Sequence, residues 1–537
     1  MVNIFLNIKM RQIIGFSSWF IIAFLLITIA VPEISITNPF HYCADQSVYY
    51  MMASSWLKGI LPYRDLFDHK APLLYLIYSL GILIAPGKLG ISILLTFFLG
   101  ISFIYAYRFS KLFVSKTVSI YVTLLYIVIC SGAISGGPED FSLPFILIPF
   151  YYIIRHILRY DYNVPLKIWI FSGTCFGIHA MIRLNNAGVL CGAIAALCVL
   201  FIAKRQYYLI TRNILLFLLS SLIFIMVILS YFVINNCVYQ CIECSFLFNL
   251  FYSTKGIIDR EFKEWVYILT YISPVWLILV SSFILYKSKK LKPAVCFVSI
   301  ASAAIGSIAL IPGRAYLHYF LIFSPCVIIA IVFSALCIKR VRNKTLTYFL
   351  SILSIIFYTP FVCYSAYDAW RGGLALFPHH HWKHRYESDL LTVCQTIKKI
   401  IPSNELNSVL YYNGQGNVYL YLGAVPPTRF FILQDFLMMN APMYKKEFEA
   451  SLYEKNSPKW IIGREHSGKL GKNATLQKCL DSYYEEVNIP NNKTNFRLFK
   501  KAFQLNAMTD EHGRCKFFLQ NPGHCHKIRL WLSNTKE

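Results

Sequence analysis

Charged side chains are scarce in this sequence of 537 residues: only 14% are Asp, Glu, Lys or Arg, whereas 57% of all residues are hydrophobic. Soluble domains carry about 25% charged residues, so this composition excludes an ordinary soluble enzyme. Acidic residues are the scarcer sign, with 26 against 51 Lys and Arg and a net charge of +25. Many of the bases lie in short clusters between apolar stretches, as in cytoplasmic loops of membrane proteins. The excess charge therefore indicates a membrane surface, and we expect no nucleic-acid partner.

Long apolar runs fill the first two thirds of the sequence. The first run follows Lys9 and Arg11 and lacks a small-residue cleavage site, which is typical of a retained signal anchor. Each run has about 20 residues, the length that an α-helix needs to cross a bilayer. The sequence therefore predicts an α-helical polytopic membrane protein with eleven transmembrane helices, at residues 13–31, 89–107, 117–135, 141–158, 167–182, 187–203, 213–235, 265–286, 293–311, 317–337 and 346–366.

The orientation follows from the basic clusters. An N-terminus on the inside keeps nearly all of the basic clusters between the spans cytoplasmic, as the positive-inside rule requires. Residues 72–85 could be a short span or an interfacial helix. A span there would move the loop with Arg108, Lys111 and Lys116 to the outside, so we assign residues 72–85 to the interface. With an odd number of spans, the chain after residue 366 lies outside.

The domain organisation has four parts. Residues 403–500 predict a small extracytoplasmic α/β domain, with strand-like residues 408–412 and 459–463 and a helical stretch that ends near Tyr484. The remaining parts are a transmembrane catalytic domain at residues 1–366, whose first outer loop at 32–88 holds interfacial helices, a juxtamembrane linker at 367–402 and a basic tail at 501–537, to which no fold is assigned.

The first outer loop collects unusual polar residues: Asp45, then Tyr63 and Asp65 in a Gly-Pro turn, then Asp68 and Lys70. An amphipathic helix that lies on the membrane would hold Asp45 at the boundary between water and lipid. An ordinary solvated acid at Asp45 and snorkelling of Lys70 to lipid headgroups are the alternatives. The apolar positions of this predicted helix are Val48, Tyr49, Met52, Trp56 and Leu57.

This loop resembles that of a known group of enzymes. Asp45 soon after the first span, a Gly-x-x-Pro-Tyr-x-Asp turn at residues 59–65 and a Lys-x-Pro-Leu-Leu-Tyr run at residues 70–75 resemble the polytopic GT-C glycosyltransferases, which include protein O-mannosyltransferases and the lipid A aminoarabinose transferase. The resemblance covers most of the chain. It implies that Asp45 is the catalytic carboxylate, that Lys70 contacts the lipid phosphate, and that the acceptor enters from the outer aqueous side.

A second acidic site follows the Gly136-Gly137-Pro138 turn between the third and fourth predicted spans. Asp140 could cap the helix that begins at Phe141, a role that is compatible with catalysis. Glu139 and Asp140 are therefore candidates for orienting the acceptor or for holding a divalent cation. No other cofactor is assigned.

Ionisable groups also stand near two later helix ends. Arg183 lies between two short apolar runs, and Arg314 and His318 lie between two others. Such groups beside a membrane cavity are usually functional, although anchoring at the interface is an alternative. The resemblance implies that Arg314 contacts the donor phosphate, with Tyr63 and His318 as further phosphate-binding candidates. Arg183, Asp65 and Asp68 complete the set of candidate site residues.

These residues predict a membrane glycosyltransferase. Transfer from a lipid-phosphate sugar needs a base for the acceptor hydroxyl and a cation for the departing phosphate, so we expect a polyprenyl-phosphate-linked sugar donor and a lipid, glycan or protein acceptor. The predicted location is the bacterial cytoplasmic (inner) membrane, with the reaction on its outer face, and the resemblance implies inversion at the sugar carbon. The alternatives are a flippase or exporter of lipid-linked sugars and a polysaccharide polymerase or ligase that uses a lipid-linked oligosaccharide.

Overall fold

A computed structural model divides the chain into two compact units. The helical unit contains Met1–Tyr42 and His69–His384, and the α/β unit contains Cys43–Asp68 and Arg385–Glu537. The structure describes residues 2–38, 42, 44–258, 260–312, 316–340, 344–373, 382–441, 443–453, 457–466, 469–471, 473–490, 492, 495–502, 506–509 and 515–518.

Apolar helices build the helical unit. Where the chain is described, seven helical segments are long and apolar enough to cross a membrane, and five shorter apolar helices accompany them. Each of the eleven predicted spans falls on one or two of these helices, which confirms the class of multi-pass α-helical membrane protein. The helices of this unit are α1 Val2–Ala30, α3 Pro72–Ile84, α4 Lys88–Ser110, α5 Lys116–Ser131, α6 Pro138–Arg159, α7 Leu166–Ile182, α8 Gly188–Ala203, α9 Tyr207–Ile234, α10 Val238–Ile242, α11 Phe248–Ile258, α12 Phe262–Tyr271, α13 Pro274–Lys287, α14 Pro293–Leu310, α15 Ser324–Arg340 and α16 Lys344–Gly373. In the α/β unit, α2 spans Ala44–Trp56.

Helix α3 is the segment with the ambiguous membrane assignment. Its 13 residues give a length of about 20 Å, which is shorter than the roughly 30 Å hydrocarbon core. One face, with Leu74, Tyr75 and Tyr78, is buried, whereas Leu83 is 70% exposed. The helix packs closely on α4, because a Cβ on Gly90 would lie 1.8 Å from a backbone oxygen of α3. The interfacial assignment of this helix stays a prediction.

The stretch between α9 and α13 contains structure that the sequence pattern does not reveal. Here α10, a π-helical turn at Glu243–Leu247, α11 and α12 follow one another. Pro274 begins α13 and so divides the predicted span at residues 265–286 into two helices. Single π-helical turns often mark functional sites. The turn at Glu243–Leu247 leads directly into α11, which carries a residue of the site described below.

A small mixed sheet forms the core of the α/β unit. Strands β1 and β2 are parallel, whereas β2 with β5 and β5 with β4 are antiparallel, in the order β1-β2-β5-β4, with β3 on β2. The predicted strands at 408–412 and 459–463 are confirmed as β1 and β2, and the predicted helix is α21. The strands are β1 Val409–Tyr412, β2 Trp460–His466, β3 Lys469–Leu470, β4 Tyr484–Val487 and β5 Phe496–Lys501, and the helices are α17 Trp382–Ile400, which begins at the boundary of the units, α18 Asn417–Leu422, α19 Gln434–Asn440, α20 Met443–Ser451 and α21 Ala474–Tyr483.

Helix α2 belongs to this unit, and protein packing buries part of its apolar face. The helix forms with Asp45 in its first turn as predicted. Of the predicted apolar positions, Val48, Tyr49 and Met52 are at most 6% exposed, whereas Leu57, just after the helix, is 43% exposed. Within the unit α2 packs on α18. A Cβ on Gly416 would lie 2.4 Å from the backbone oxygen of Ser47. Protein packing therefore accounts for Val48, Tyr49 and Met52, and the position of this helix at the membrane surface stays a prediction.

Two further segments contain helices or strands that were not predicted from the sequence. The predicted linker at residues 367–402 is largely helical, since α16 runs to Gly373 and α17 occupies Trp382–Ile400. The tail, to which the sequence assigned no fold, contains an antiparallel pair formed by β6 Asn506–Thr509 and β7 Cys515–Phe518. These strands were not predicted from the sequence, because each has only four residues and the surrounding sequence is polar and basic.

Candidate active site

The acidic turn, residues 136–140, opens α6 in the helical unit. Gly136 has a φ of +81°, and a Cβ there would lie 2.4 Å from the side chain of Ile34. One oxygen of Asp140 accepts hydrogen bonds from the backbone N–H groups of Ser135 (3.1 Å), Gly136 (2.7 Å) and Gly137 (2.8 Å). Asp140 is fully buried. The helix begins at Pro138 and not at Phe141 as expected, so Asp140 is its third residue and stabilises the helix start by accepting from the N–H of the N-cap residue Gly137.

Glu139 makes a different contact in the same turn. Its carboxylate accepts a hydrogen bond from the guanidinium of Arg183, while its second oxygen is buried and has no hydrogen-bond partner among the described residues. The side chains of Glu139 and Arg183 are 1% and 19% exposed. The guanidinium also lies over the ring of Tyr319, 3.8 Å from its centroid. Buried charges persist in proteins when they are paired in this way.

The turn between α7 and α8 holds Arg183 in place. Helix α7 ends at Ile182, Arg183 is extended, and a 3-10 turn, Leu184–Ala187, follows. The side-chain amide of Asn186 donates to the carbonyl of Pro138 (3.2 Å) and to the hydroxyl of Ser142 (2.7 Å). These hydrogen bonds join the turn that follows Arg183 to the start of α6, which carries Glu139. Both partners of the ion pair are therefore held in place.

A cavity of about 250 Å³ lies beside this ion pair, entirely within the helical unit. We call it the cation cavity, because Lys70 and Arg183 both line it. Lys70 lies 2.9 Å from the ring nitrogen of His69, and the side-chain amide of Asn249 donates to the backbone oxygen of His69 (2.6 Å). Tyr319 also lines the cavity. Two cations beside a small cavity provide the charge that a phosphate group needs.

Further polar side chains act on Glu139. Besides Arg183, His318 and Lys70 are close enough to interact with its carboxylate electrostatically. His318 belongs to a 3-10 helix, Leu317–Phe323, and its ring packs edge-on against Tyr319 at 4.6 Å. Arg314 lies outside the described residues. The structure thus brings Lys70, Glu139, Arg183 and His318 into one neighbourhood.

The other candidate residues belong to the α/β unit. Asp45 is exposed, with the hydroxyl of Tyr49 3.5 Å from its carboxylate. Tyr63 is buried, and its backbone oxygen accepts a hydrogen bond from Arg429 (2.9 Å). Asp68 is also buried. The assignment of catalysis to Asp45 and of phosphate binding to Tyr63 stays a prediction.

Asp65 stabilises its own turn. Its carboxylate accepts hydrogen bonds from the backbone N–H of Leu61 (2.8 Å) and from Arg64 (2.8 Å). Burial alone would raise the pKa of Asp65, but the hydrogen bonds from Arg64 and Leu61 outweigh that effect and hold the pKa below its usual value. The contacts at Asp65 are those of a structural turn.

Sequence reasoning did not assign His69, Asn249 or Tyr319 to the site. Asn249 had one available signal, since it is the lone amide of α11. Tyr319 directly follows His318, and only the histidine was selected as a candidate. The pairing of Glu139 with Arg183 was also missed, because it depends on how α6 and α7 pack.

Neither a protein-family model nor a curated protein matches this sequence. Solved structures do match. The crystal structure of ArnT from Cupriavidus metallidurans bound to undecaprenyl phosphate aligns with a TM-score of 0.52 at 10% identity, over 91% of this chain and 98% of that chain. The oligosaccharyltransferase AglB from Archaeoglobus fulgidus, in complex with an inhibitory peptide and a dolichol-phosphate, aligns with a TM-score of 0.45 at 11% identity, over 94% and 74%. The similarity to ArnT shows that this polytopic membrane protein has a GT-C-like fold.

Proposed function

We propose that this protein is a GT-C glycosyltransferase that moves a sugar from a polyprenyl-phosphate donor to an acceptor hydroxyl, with inversion at the sugar carbon. The observation that carries the proposal is the cation cavity, where Lys70 and Arg183 stand beside the buried carboxylate of Glu139. The similar ArnT structure is bound to undecaprenyl phosphate, which supports a donor of the same lipid-phosphate class.

The two cations have a defined task in this reaction. The acceptor oxygen forms a bond to the sugar carbon, the bond from that carbon to the phosphate oxygen breaks, and the lipid phosphate leaves with the electron pair. Lys70 and Arg183 stabilise the negative charge that develops on the phosphate. Glu139 is a positioning residue, since it holds the guanidinium of Arg183. Asp45 accepts the proton of the acceptor hydroxyl, as the resemblance implies.

The distribution of charge along α6 supports an orientation in the membrane. The helix begins with the acidic turn and, about 33 Å further along, ends at Arg155 and Arg159. These two residues and Lys167 line a cavity of about 590 Å³ whose described lining contains no acid. We propose that the basic end faces the cytoplasm and the acidic turn faces outward, in a bacterial cytoplasmic membrane.

Reconstituted enzyme tests this function. We expect purified protein in liposomes to transfer label from a polyprenyl-phosphate monosaccharide to acceptors extracted from the source membrane. Lys70→Ala should lower turnover on the order of 10²-fold, whereas Lys167→Ala, which removes a lysine at the other end of the bundle, should leave it unchanged. Movement of the labelled lipid across the bilayer without transfer would identify a flippase instead. Transfer only from lipid-linked oligosaccharides would identify a polymerase or ligase.

A further inference from the structure

The α/β unit has a cavity of about 970 Å³ at the carboxyl ends of parallel strands β1 and β2. Tyr412 ends β1, Asn413 and Gly414 follow it, and Arg464 lies on β2; all four line the cavity. We call it the strand-end cleft. Ligands of open α/β sheets bind outside the carboxyl ends of the parallel strands. No residue of the cation cavity lines this cleft.

The base of the cleft is a fixed polar network around Asp435. The carboxylate of Asp435 accepts hydrogen bonds from the hydroxyl of Tyr412 and from the side-chain amide of Asn413 (2.5 Å). The backbone N–H of Asp435 donates to the side-chain oxygen of Asn413 (2.8 Å). A Cβ on Gly471 would lie 2.7 Å from the same carboxylate. These contacts leave the network little freedom to rearrange. A rigid polar surface of this kind is suited to orienting a ligand.

Backbone strain accompanies this network. Leu433 lines the cleft with a φ of +41°, in the left-handed region that a branched side chain rarely adopts. Its N–H donates to the backbone oxygen of Gly414 (2.9 Å), which joins the two loops that form the rim. Strain that the surrounding structure maintains tends to cluster at functional sites.

The chemistry of the lining indicates the class of ligand. Asp435 and Glu449 supply hydrogen-bond acceptors, Arg464 and Lys445 supply donors, and Phe436 adds an aromatic surface. Two acids and two bases balance in charge, which favours a neutral ligand. A hydroxyl group both donates and accepts, so neighbouring hydroxyls of a sugar match adjacent donors and acceptors, while the carbon face of its ring can pack on an aromatic side chain.

Two other ligand classes fit less well. A peptide that added as a strand would need the free edge of β1, but the N–H of Tyr411 already donates to the hydroxyl of Tyr419 (2.8 Å). In addition, Gln434 accepts from the N–H of Asn413 (2.6 Å). A phosphorylated ligand would meet the carboxylates of Asp435 and Glu449.

We propose that the strand-end cleft is a binding site for a neutral carbohydrate. The proposal does not depend on sugar transfer in the helical unit, because binding can be measured directly and without any donor lipid. A loss of transferase activity and a loss of this binding are therefore separate results.

The test uses the full-length protein in lipid nanodiscs and a printed array of neutral, sialylated and phosphorylated oligosaccharides. We expect binding to neutral glycans and its loss, by at least about tenfold, in the double variant Glu449→Gln with Arg464→Gln. Glu447→Gln is the matched control, since Glu447 lies on the same helix but pairs with Arg429 (3.0 Å) outside the cleft. This control should bind like wild type.

A second variant separates a loss of binding from a loss of folding. Phe436 is 37% exposed, so Phe436→Ala removes part of the apolar wall and leaves the Asp435 network intact. We expect it to weaken binding while the unfolding temperature stays unchanged. Absence of any neutral-glycan binding in the wild type, binding of anionic glycans alone, or full binding by both the double variant and Phe436→Ala would overturn the proposal.

Discussion

Two turns of the molecule contain the same local elements and use them differently. The acidic turn begins with Gly136 at a φ of +81°, and the outer-loop turn, residues 59–65, begins with Gly59 at a φ of +84°. Each contains a proline and ends in an aspartate that accepts hydrogen bonds from backbone N–H groups, three for Asp140 in the first turn and one for Asp65 in the second. From sequence alone, both are Gly-Pro turns that an aspartate stabilises.

The two turns differ in the arginine that pairs with a carboxylate of the turn. Asp65 pairs with its chain neighbour Arg64, and the two side chains are 33% and 47% exposed. Glu139 pairs with Arg183, which is 44 residues away along the chain and largely buried. An exposed local pair contributes little to stability, whereas removing one partner of a buried pair leaves an uncompensated charge. Only the acidic turn therefore joins separate helices and presents a cation to a cavity.

The largest expected effect concerns Asp45, which belongs to neither turn. Asp45→Asn keeps the size of the side chain and its hydrogen bonding but removes the charge that takes the acceptor's proton, so turnover should fall roughly 10²- to 10⁴-fold. Single-turnover assays with labelled donor lipid check this, with Asp161→Asn, a substitution of an exposed acid between α6 and α7, as the control. Glu139→Gln should have a smaller effect, because it only loosens Arg183. Wild-type surface glycans in a deletion strain that expresses Asp45→Asn would refute this role for Asp45.

The matched pair Arg183→Ala and Arg64→Ala tests the difference between the turns directly. Arg183→Ala leaves Glu139 buried without its cation and should lower the free energy of unfolding by about 3–5 kcal/mol. Arg64→Ala should lower it by less than about 1 kcal/mol. Denaturant unfolding of both variants in the same micelles is the measurement. The double variant Glu139→Gln with Arg183→Gln should recover part of the loss, and equal effects of the two arginines would contradict the comparison.

Substitution of Asp140 in the acidic turn should lower the free energy of unfolding by a smaller amount. Asp140→Ala removes the acceptor of three N–H groups, two of them buried, and should cost about 3 kcal/mol, whereas Asp140→Asn keeps one acceptor oxygen and should cost about 1 kcal/mol. Thermal unfolding separates the two, and turnover per folded molecule should stay near wild type in Asp140→Asn. A loss of turnover greater than tenfold at unchanged stability would instead make Asp140 part of the chemistry.

The sequence predicts the parts of this molecule that depend on local patterns. An apolar run of about 20 residues favours a helix in the bilayer, so each predicted span coincides with an apolar helix, and seven of these helices are long and apolar enough to cross a membrane where the chain is described. The short runs of apolar and aromatic residues that form β1 and β2 were also visible. The partner of Glu139 was not, because 44 residues and the packing of two helices separate it from Arg183. Asn249 was missed for a related reason, since α10 and α11 lie in a stretch of mixed polarity.

The smallest effect belongs to Asp65 and depends on pH. Its folded-state pKa lies below the usual value, so the charged form stabilises the folded state above the unfolded pKa of about 3.9, and this stability is lost as the pH falls through the folded pKa. Because the pair with Arg64 is partly exposed, wild type should exceed Asp65→Asn by no more than about 0.5 kcal/mol at pH 7. Unfolding temperatures at pH 7, 5 and 3 should show the two proteins converging at the lowest pH, and high salt at pH 7 should reduce the difference. A difference that persists unchanged at pH 3 would mean that Asp65 acts through its hydrogen bond to Leu61 and not through its charge.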